Sequence, residues 1–329
     1  MGHEQVRRRT IVLLAAGVGA ATAWGSAFAA ADNPRVGFIG IGTRQSNQHL
    51  LAAFRGGLRA LGWTDGSITV LDRWAEDQGE RLPGIASELI GSPVDILVTI
   101  GTSATLATTK ATKSLPIIFV GVGDPRVLGV IDSLAHPGGN VTGLSLSSSS
   151  LTAKRLSLLR ELLPGLRRLA VIIRSEPSLE GTLEDIRSNS RNAGIELVEF
   201  EVATGESLNR AFMHLQNDRC EAIYMASGPL GPAKRIQIIQ LAAQARLPAI
   251  YPFRIFTDDG GLMSYAVDES ELFRRAATFG DKILRGARPG DLPVEEPTRF
   301  ELVINLRTAE ALPLTVPPSL LGQADEVIK

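Results

Sequence analysis

Residues 94–107, VDILVTIGTSATLA, change from an apolar run to a helix-favouring run within a few positions. The run Ile96-Leu97-Val98 predicts a buried strand, and the small residues Gly101-Thr102-Ser103 come shortly after it. Small hydroxyl side chains therefore stand where a strand gives way to a helix. Three interpretations are open from this stretch alone: a simple turn, a phosphate-binding loop, or a pocket for another ligand.

The alternation of strand and helix extends along the rest of the chain. Unbroken apolar strands are predicted at 35–41 and 115–123, and a turn with a short helix is predicted within 124–139. The pattern then restarts with an amphipathic helix at 151–165 and a strand at 168–175. Strands that are apolar on both faces indicate a parallel sheet with helices on both sides. We therefore predict two doubly wound parallel-sheet α/β lobes, with SLSSSS (145–150) as the hinge.

The C-terminal segment is too short to form a third domain, and it most simply completes the two lobes. We expect the chain to cross between the lobes several times. The first lobe would comprise residues 34–145 plus about 265–297, and the second lobe residues 146–264 plus about 298–329. Two lobes joined by several crossings form a clamp that can close on a ligand in the cleft.

The N-terminal residues 1–29 have the pattern of a secretory signal peptide. Three arginines, Arg7, Arg8 and Arg9, precede a long uncharged run that ends in the cleavage sequence Ala27-Phe28-Ala29. A single membrane anchor is the alternative, but the richness in Gly and Ala and the cleavage site favour removal. The arginines suit twin-arginine export, with general secretion as the alternative. No cysteine follows the run, so we expect a periplasmic protein without a lipid anchor at that site.

Composition and motifs narrow the function classes. The net charge is −1, which argues against nucleic-acid binding as the main task. The only cysteine, Cys220, cannot form an internal disulfide or a metal cluster, and burial as a small apolar side chain is the favoured interpretation. No nucleophile elbow, zinc-protease motif or Walker loop is present. We therefore expect neither enzyme activity nor a metal or cofactor.

Small polar residues recur where the predicted strands end, and ligands of open α/β sheets bind at the carboxyl ends of strands. The helix that begins at Thr102 and Ser103 would offer free N–H groups to an anion, and without a lysine a carboxylate suits it better than a polyphosphate. Capping of their own helix is the alternative. Asp124 is expected either to cap a helix or to bind a ligand amino group. The candidate ligand-binding residues at strand ends are Thr43, Gly101, Thr102, Ser103, Asp124 and Ser227.

Aromatic side chains suit the walls of a cleft that holds a flat ligand. Tyr251 and Phe253 follow a predicted strand of the second lobe, and Tyr265 lies in a predicted crossing segment. We count these three as candidates for the cleft wall, with core packing as the alternative for each. For Trp74, core packing is the favoured interpretation.

Several long stretches resemble the ABC transporter substrate-binding proteins of the TrpX-like kind, and together they cover nearly the whole mature chain. They are AAFRGGLRALGW (52–63), ERLPGIASELI (80–90), the stretch 115–145 from LPIIFVGVGDPRV to VTGLS, the stretch 260–312 from GGLMSYAVDESEL to RTAEAL, and PPSLLGQADEVI (317–328).

The resemblance implies a type I periplasmic-binding-protein fold with two Rossmann-like lobes, crossing strands and a ligand in the cleft. It also implies delivery to a membrane permease that is driven by a separate ATPase, and a monomeric protein. Ligand groups would lie near Thr43, Ser103, Asp124, Ser227 and Tyr265. Characterised members bind aromatic amino acids, so we expect a small carboxylate ligand. An exported sensor module for a signalling receptor is the alternative function.

Overall fold

The computed structural model describes residues 33–146, 149–174, 180–228 and 230–329. The predicted signal peptide lies outside the described residues, as do residues 147 and 148 of the predicted hinge. Within the described part, the strands form a five-stranded sheet, called here the first sheet, and a seven-stranded sheet, the second sheet. Among these same residues, we find no helix with both the length and the apolar character needed to cross a membrane.

The first sheet consists of parallel strands in the order β2-β1-β3-β4-β5. Its strands are β1 (Arg35–Gly40), β2 (Thr69–Trp74), β3 (Ile96–Ile100), β4 (Ile117–Val122) and β5 (Val141–Ser145). The helices between them are α1 (Arg44–Ala60), α2 (Leu82–Gly91) and α3 (Gly101–Ala111). The short helix predicted within 124–139 is absent, because this segment contains Pro125 and Pro137 and has positive φ angles at Gly129, Gly138 and Gly139, and so forms turns instead.

The second sheet has the order β12-β11-β10-β9-β8-β6-β7. Its strands are β6 (Arg168–Arg174), β7 (Glu196–Val202), β8 (Ala222–Met225), β9 (Ala249–Tyr251), β10 (Met263–Val267), β11 (Phe300–Asn305) and β12 (Glu326–Ile328). The remaining helices are α4 (Ser149–Leu162), α5 (Glu180–Asn192), α6 (Gly205–Asn217), α7 (Leu230–Ala245), α8 (Arg254–Asp258), α9 (Glu269–Leu284), α10 (Leu306–Ala311) and α11 (Pro318–Gln323).

Two strands, β11 and β12, depart from the predicted parallel arrangement, because both run opposite to the other strands of the second sheet. β11 pairs antiparallel with β10, whereas the other pairings are parallel. The chain leaves β10, forms α9 against the first sheet, and returns through residues 285–299 before β11 begins, so no direct right-handed crossover links the two strands. Antiparallel strands toward the edge of an otherwise parallel sheet are common in such folds.

Helices cover both faces of each sheet. In the first sheet, Phe38 of β1 is fully buried against α1 and α9, with its ring centroid 5.6 Å from that of Phe54 and 5.8 Å from that of Phe273. The opposite face packs against α2 and α3. At Gly57 of α1, a Cβ atom would lie 2.7 Å from the Cβ of Ala277, so only glycine allows α1 and α9 to approach this closely.

The chain passes between the two sheets after β5, after β10 and again before β11. The predicted boundary near residue 265 falls inside β10, whose pairing with β11 extends to Val267 and keeps these residues in the second sheet. The return segment runs beside β5, because the Ser145 amide donates to the Glu295 carbonyl at 2.9 Å and the Glu295 amide donates to the Gly143 carbonyl at 3.1 Å. Arg275 of α9 also binds the Glu295 carboxylate at 2.6 Å.

Candidate functional site

A cavity of about 970 Å³ lies at the carboxyl ends of strands from both sheets. From the first sheet, Gly42 follows β1, Gly101 follows β3 and Gly123 follows β4. From the second sheet, Ser227 follows β8 and Phe253 follows β9. This position is the one at which open α/β sheets bind ligands, and a cavity of this size accommodates a small organic molecule.

The start of α3 lies in the cavity wall without a side-chain cap. The N-cap residue Ile100 has no oxygen to cap with, and Gly101 has a φ of 75°, which glycine adopts readily. Thr102 and Ser103 also line the cavity, and within the described residues their hydroxyls form no hydrogen bond. The first amide groups of α3 and two hydroxyls are therefore left for a ligand, and the predicted alternative of self-capping does not occur.

The start of α1 is occupied by its own side chains. The Thr43 hydroxyl accepts from the Ser46 amide at 3.1 Å, and the Thr43 amide donates to the Ser46 hydroxyl at 3.3 Å, which is a capping box. Gly42, Ser46 and Asn47 line the cavity, but Thr43 is not part of the lining. The Thr43 hydroxyl, which was predicted to bind a ligand, therefore caps its own helix instead.

Asp124 lines the cavity but is already paired. Its carboxylate accepts from the Arg126 guanidinium at 3.0 and 2.7 Å and from the Arg126 amide at 2.9 Å. The side-chain hydrogen bond from Arg126 lowers the pKa of Asp124 below its ordinary value. Asp124 does not cap a helix, because turns follow it. A ligand amino group would have to compete with Arg126 for its carboxylate.

The aromatic candidates divide between core and cavity. Phe253 lines the cavity, whereas Tyr251, two residues earlier, is 1 % exposed and stacks on Phe256 with ring centroids 4.7 Å apart. Burial raises the pKa of the Tyr251 phenol. Tyr265 is also outside the cavity lining, and its ring packs beside Phe300 at 5.8 Å. Tyr251 and Tyr265 thus belong to the packing around the site.

The sequence prediction missed Arg155 of α4. This side chain is 5 % exposed and lines the cavity. Its Nε donates to the Tyr265 carbonyl at 2.8 Å, and its terminal nitrogens donate to the Tyr224 hydroxyl and the Pro252 carbonyl, both at 3.4 Å. A signal was present, because Arg155 interrupts the apolar face of its helix between Leu151 and Leu158.

Glu269, the first residue of α9, was missed as well. It lines the cavity and is partly buried, and in the described part of the chain its carboxyl has neither a hydrogen bond nor an ion pair. Burial, with a smaller contribution from the neighbouring Asp268, raises the pKa of Glu269 to about 7. The side chain is an acceptor without a donor, which suits a cationic group of a ligand.

The cavity wall also contains the ring of Trp74, for which core packing was the favoured prediction, and the ring of Phe273, for which no prediction was made. Trp74 and Phe273 line the cavity while packing around Phe38, so they contribute to both the core and the site.

Cys220 is buried in the core of the second lobe, where burial raises the pKa of its thiol to about 11. No group of three or more His, Cys, Asp or Glu residues that could hold a metal ion occurs within the described ranges.

Comparisons with known proteins agree with this architecture. The family model described as ABC transporter substrate binding protein matches residues 39–328. A tyrosine-binding protein of Clostridioides difficile is 28% identical over 286 residues, which cover 85% of this chain and 82% of the relative.

Solved structures of similar fold include a conserved domain protein from Vibrio cholerae, with a TM-score of 0.85, 26% identity and coverage of 90% of this chain and 99% of that one. Another is an ABC domain from Streptococcus pneumonia in complex with L-Trp, with a TM-score of 0.84, 23% identity and coverage of 90% and 100%. These matches confirm the predicted type I periplasmic-binding-protein fold. The chain belongs to the ABC transporter substrate-binding proteins, an extracytoplasmic family of solute-binding proteins that are not enzymes.

Proposed function

We propose that this protein is a periplasmic receptor that captures an aromatic α-amino acid between its two lobes and delivers it to the permease of an ABC uptake transporter. The observation that carries the proposal is the open start of α3 in a cavity with aromatic walls. The tyrosine-binding relative and the similar L-Trp complex support the same ligand class.

The ligand carboxylate would bind at the start of α3. A helix N-terminus carries a partial positive charge and free amide donors, and both favour a carboxylate. Thr102 and Ser103 add hydroxyl donors beside these amides. A phosphate loop would need a lysine or a longer glycine-rich segment, and neither occurs in 94–107.

The ligand side chain would contact the rings of Trp74, Phe253 and Phe273. These rings line the same cavity as the start of α3, and apolar residues such as Leu50 and Leu272 lie beside them. A flat aromatic group gains free energy both from removal of its surface from water and from ring–ring contact. The fixed orientation of Trp74, whose Nε1 donates to the Asp72 carboxylate at 2.8 Å, favours a rigid wall.

The ligand amino group would bind Glu269 in place of the sequence candidate Asp124. Glu269 has no partner in the described structure, whereas Asp124 is held by Arg126. The wall as a whole is acidic, and this favours a ligand that carries an ammonium group. The charged residues in the lining are Asp77, Asp124, Glu180, Asp185, Glu269 and Glu296 against Arg126 and Arg155.

A calorimetric and thermal-shift screen of the mature protein tests the proposal. We expect L-tryptophan, L-tyrosine or L-phenylalanine to raise the melting temperature, because a ligand present at 100 times its Kd stabilises the native state by about 2.7 kcal/mol. Tryptamine, which lacks the carboxylate, and L-valine, which lacks the ring, are the matched controls. Stabilisation by neutral sugars alone would rule out the proposed ligand class.

A further inference from the structure

Arg155 is a buried guanidinium without a carboxylate partner. It is 5 % exposed, and in the described part of the chain no acidic side chain lies within ion-pair distance. A guanidinium has five N–H donors, of which three have acceptors here, and two of those bonds are long at 3.4 Å. Donor capacity therefore remains on a side chain that faces the cavity.

The groups that hold Arg155 orient it without neutralising it. Its acceptors are two main-chain carbonyls, of Tyr265 and Pro252, and the Tyr224 hydroxyl. The Tyr265 carbonyl lies in the middle of β10 and the Pro252 carbonyl directly follows β9, so the guanidinium is fixed against the second sheet. A buried charge that lacks a counter-ion is costly, and a ligand anion that reaches it recovers part of that cost.

Two walls of one cavity thus favour an anion. The start of α3 follows β3 of the first sheet, whereas Arg155 is hydrogen-bonded to β10 of the second sheet. We propose that the ligand carboxylate binds between the start of α3 and Arg155, so that Arg155 selects for the carboxylate and draws the second lobe onto the first. This inference rests on the proposed function, because it takes the bound solute to be an amino acid.

Arg155 would then be the residue that makes closure depend on ligand charge. A ligand that fills the aromatic wall but lacks the carboxylate would leave Arg155 without its counter-ion. Such a ligand would bind weakly and would not stabilise the closed form. A purely structural Arg155 would instead affect acidic and neutral ligands alike, since its role would be complete without a ligand.

The test compares an acid with its amide in variants of the mature protein. L-Tryptophan and L-tryptophanamide share the ring and the ammonium group and differ in the carboxylate. In wild-type protein, calorimetry should give a ratio of about 100 between the two affinities, and Arg155→Gln should lower acid affinity about 100-fold while amide affinity changes less than about threefold. Equal losses for both ligands would overturn the inference.

Two further variants keep the test decisive. Arg160→Gln is the matched control, because Arg160 lies on the same helix and donates to the Ala193 carbonyl at 2.8 Å but is exposed outside the cavity. It should leave the acid-to-amide ratio unchanged. If Arg155→Gln does not fold, Arg155→Lys retains the charge but loses the planar fork, and the ratio should fall about tenfold.

Failure of the proposed function is distinguishable from failure of this inference. If no aromatic amino acid binds the wild-type protein, the proposed function is wrong, and the inference is overturned with it. If the acid binds and Arg155→Lys keeps the full acid-to-amide ratio, only the inference is overturned. Small-angle scattering adds an independent readout, because L-tryptophan should compact the wild-type protein and not the Arg155→Gln variant.

Discussion

Helices α1 and α3 begin at neighbouring strand ends of the first sheet, and their starts differ in what they leave free. At α1, Thr43 and Ser46 satisfy each other in a capping box. At α3, Ile100 provides no cap, and the hydroxyls of Thr102 and Ser103 make no hydrogen bond within the described residues. The start of α1 is capped by its own side chains, whereas in our proposal a ligand caps the start of α3.

This difference shows that small polar residues at a strand end do not by themselves define a binding site. Both starts have glycine followed by hydroxyl residues, and both strands end at the same edge of the sheet. What separates them is whether the local backbone brings a side-chain oxygen back to the free amides. The α9 start adds a third case, since Asp268 caps it and Glu269 presents an acid to the cavity.

The largest expected effect on binding comes from placing an acidic side chain in the first turn of α3. Ser103→Asp places a carboxylate at the helix start, where it competes with the ligand carboxylate and repels it. Affinity for an aromatic amino acid should fall about 100-fold or more by calorimetry, while the ligand-free protein gains about 0.5 kcal/mol of stability. Thr43→Asp, the same acid at the capped start, should change affinity less than about threefold. Equal losses in the two variants would remove the distinction between the starts.

The next effect concerns the acid at the start of α9. Glu269→Gln should lower amino-acid affinity about tenfold, because a hydrogen bond to a charged group is replaced by a neutral one. In wild-type protein, affinity should rise between pH 6 and 8 as Glu269, whose pKa is about 7, loses its proton. The variant should lack this rise. An unchanged pH profile would show that another group binds the ammonium.

The stability of the ligand-free protein gives a check on the same residue. The folded-state pKa of Glu269 lies above its ordinary value, so the folded protein holds the proton more tightly than the unfolded chain. The contribution of this group is therefore fully present below about pH 4.5 and is lost as the pH rises toward 7. Thermal unfolding of Glu269→Gln should lack this component.

A smaller effect is expected from the backbone at the open start. Gly101→Ala puts a side chain at a φ of 75°, which costs about 1 kcal/mol of stability although no atom obstructs the new Cβ. Relaxation of that strain should shift the α3 amides and weaken binding about threefold. Denaturant titration and calorimetry measure the two quantities. An unchanged affinity would indicate that the amides do not contact the ligand.

The smallest effect on binding is expected at the closed start. Thr43→Ala removes the cap of α1 and should cost about 1 kcal/mol in the free energy of unfolding. Because Thr43 is not in the cavity lining, affinity should stay within about twofold once the protein is folded. A large loss of affinity would place the α1 start in the binding site and break the contrast with α3.

The sequence predicted the fold better than the site, for a physical reason. Apolar runs such as Ile96–Ile100 report burial directly, so two doubly wound lobes could be inferred from them. The direction of β11 could not, because it depends on where α9 packs. Tyr251 and Phe253 are two residues apart, yet one lies in the core and the other in the cavity, because β9 ends between them.

Arg155 and Glu269 were missed because their place in the cavity depends on contacts between distant segments. Arg155 reaches the site through carbonyls of Pro252 and Tyr265, far along the chain. Glu269 begins a helix whose place on the first sheet follows only from its packing on α1. The periodicity of a local sequence does not report contacts between distant segments. The position of Arg155 on an apolar helix face was the one sign in the sequence.

The packing of α9 on α1 has a consequence for the order in which the protein folds. A chain synthesised from its N-terminus completes the strands of the first sheet early, but the helix that covers Phe38 ends only at Leu284. By then most strands of the second sheet have also been made, while β11 and β12 are still missing. Contacts between such distant segments form late in folding. The first lobe therefore lacks part of its apolar cover until α9 is in place, and a chain that ends before α9 leaves part of one face of the first sheet uncovered.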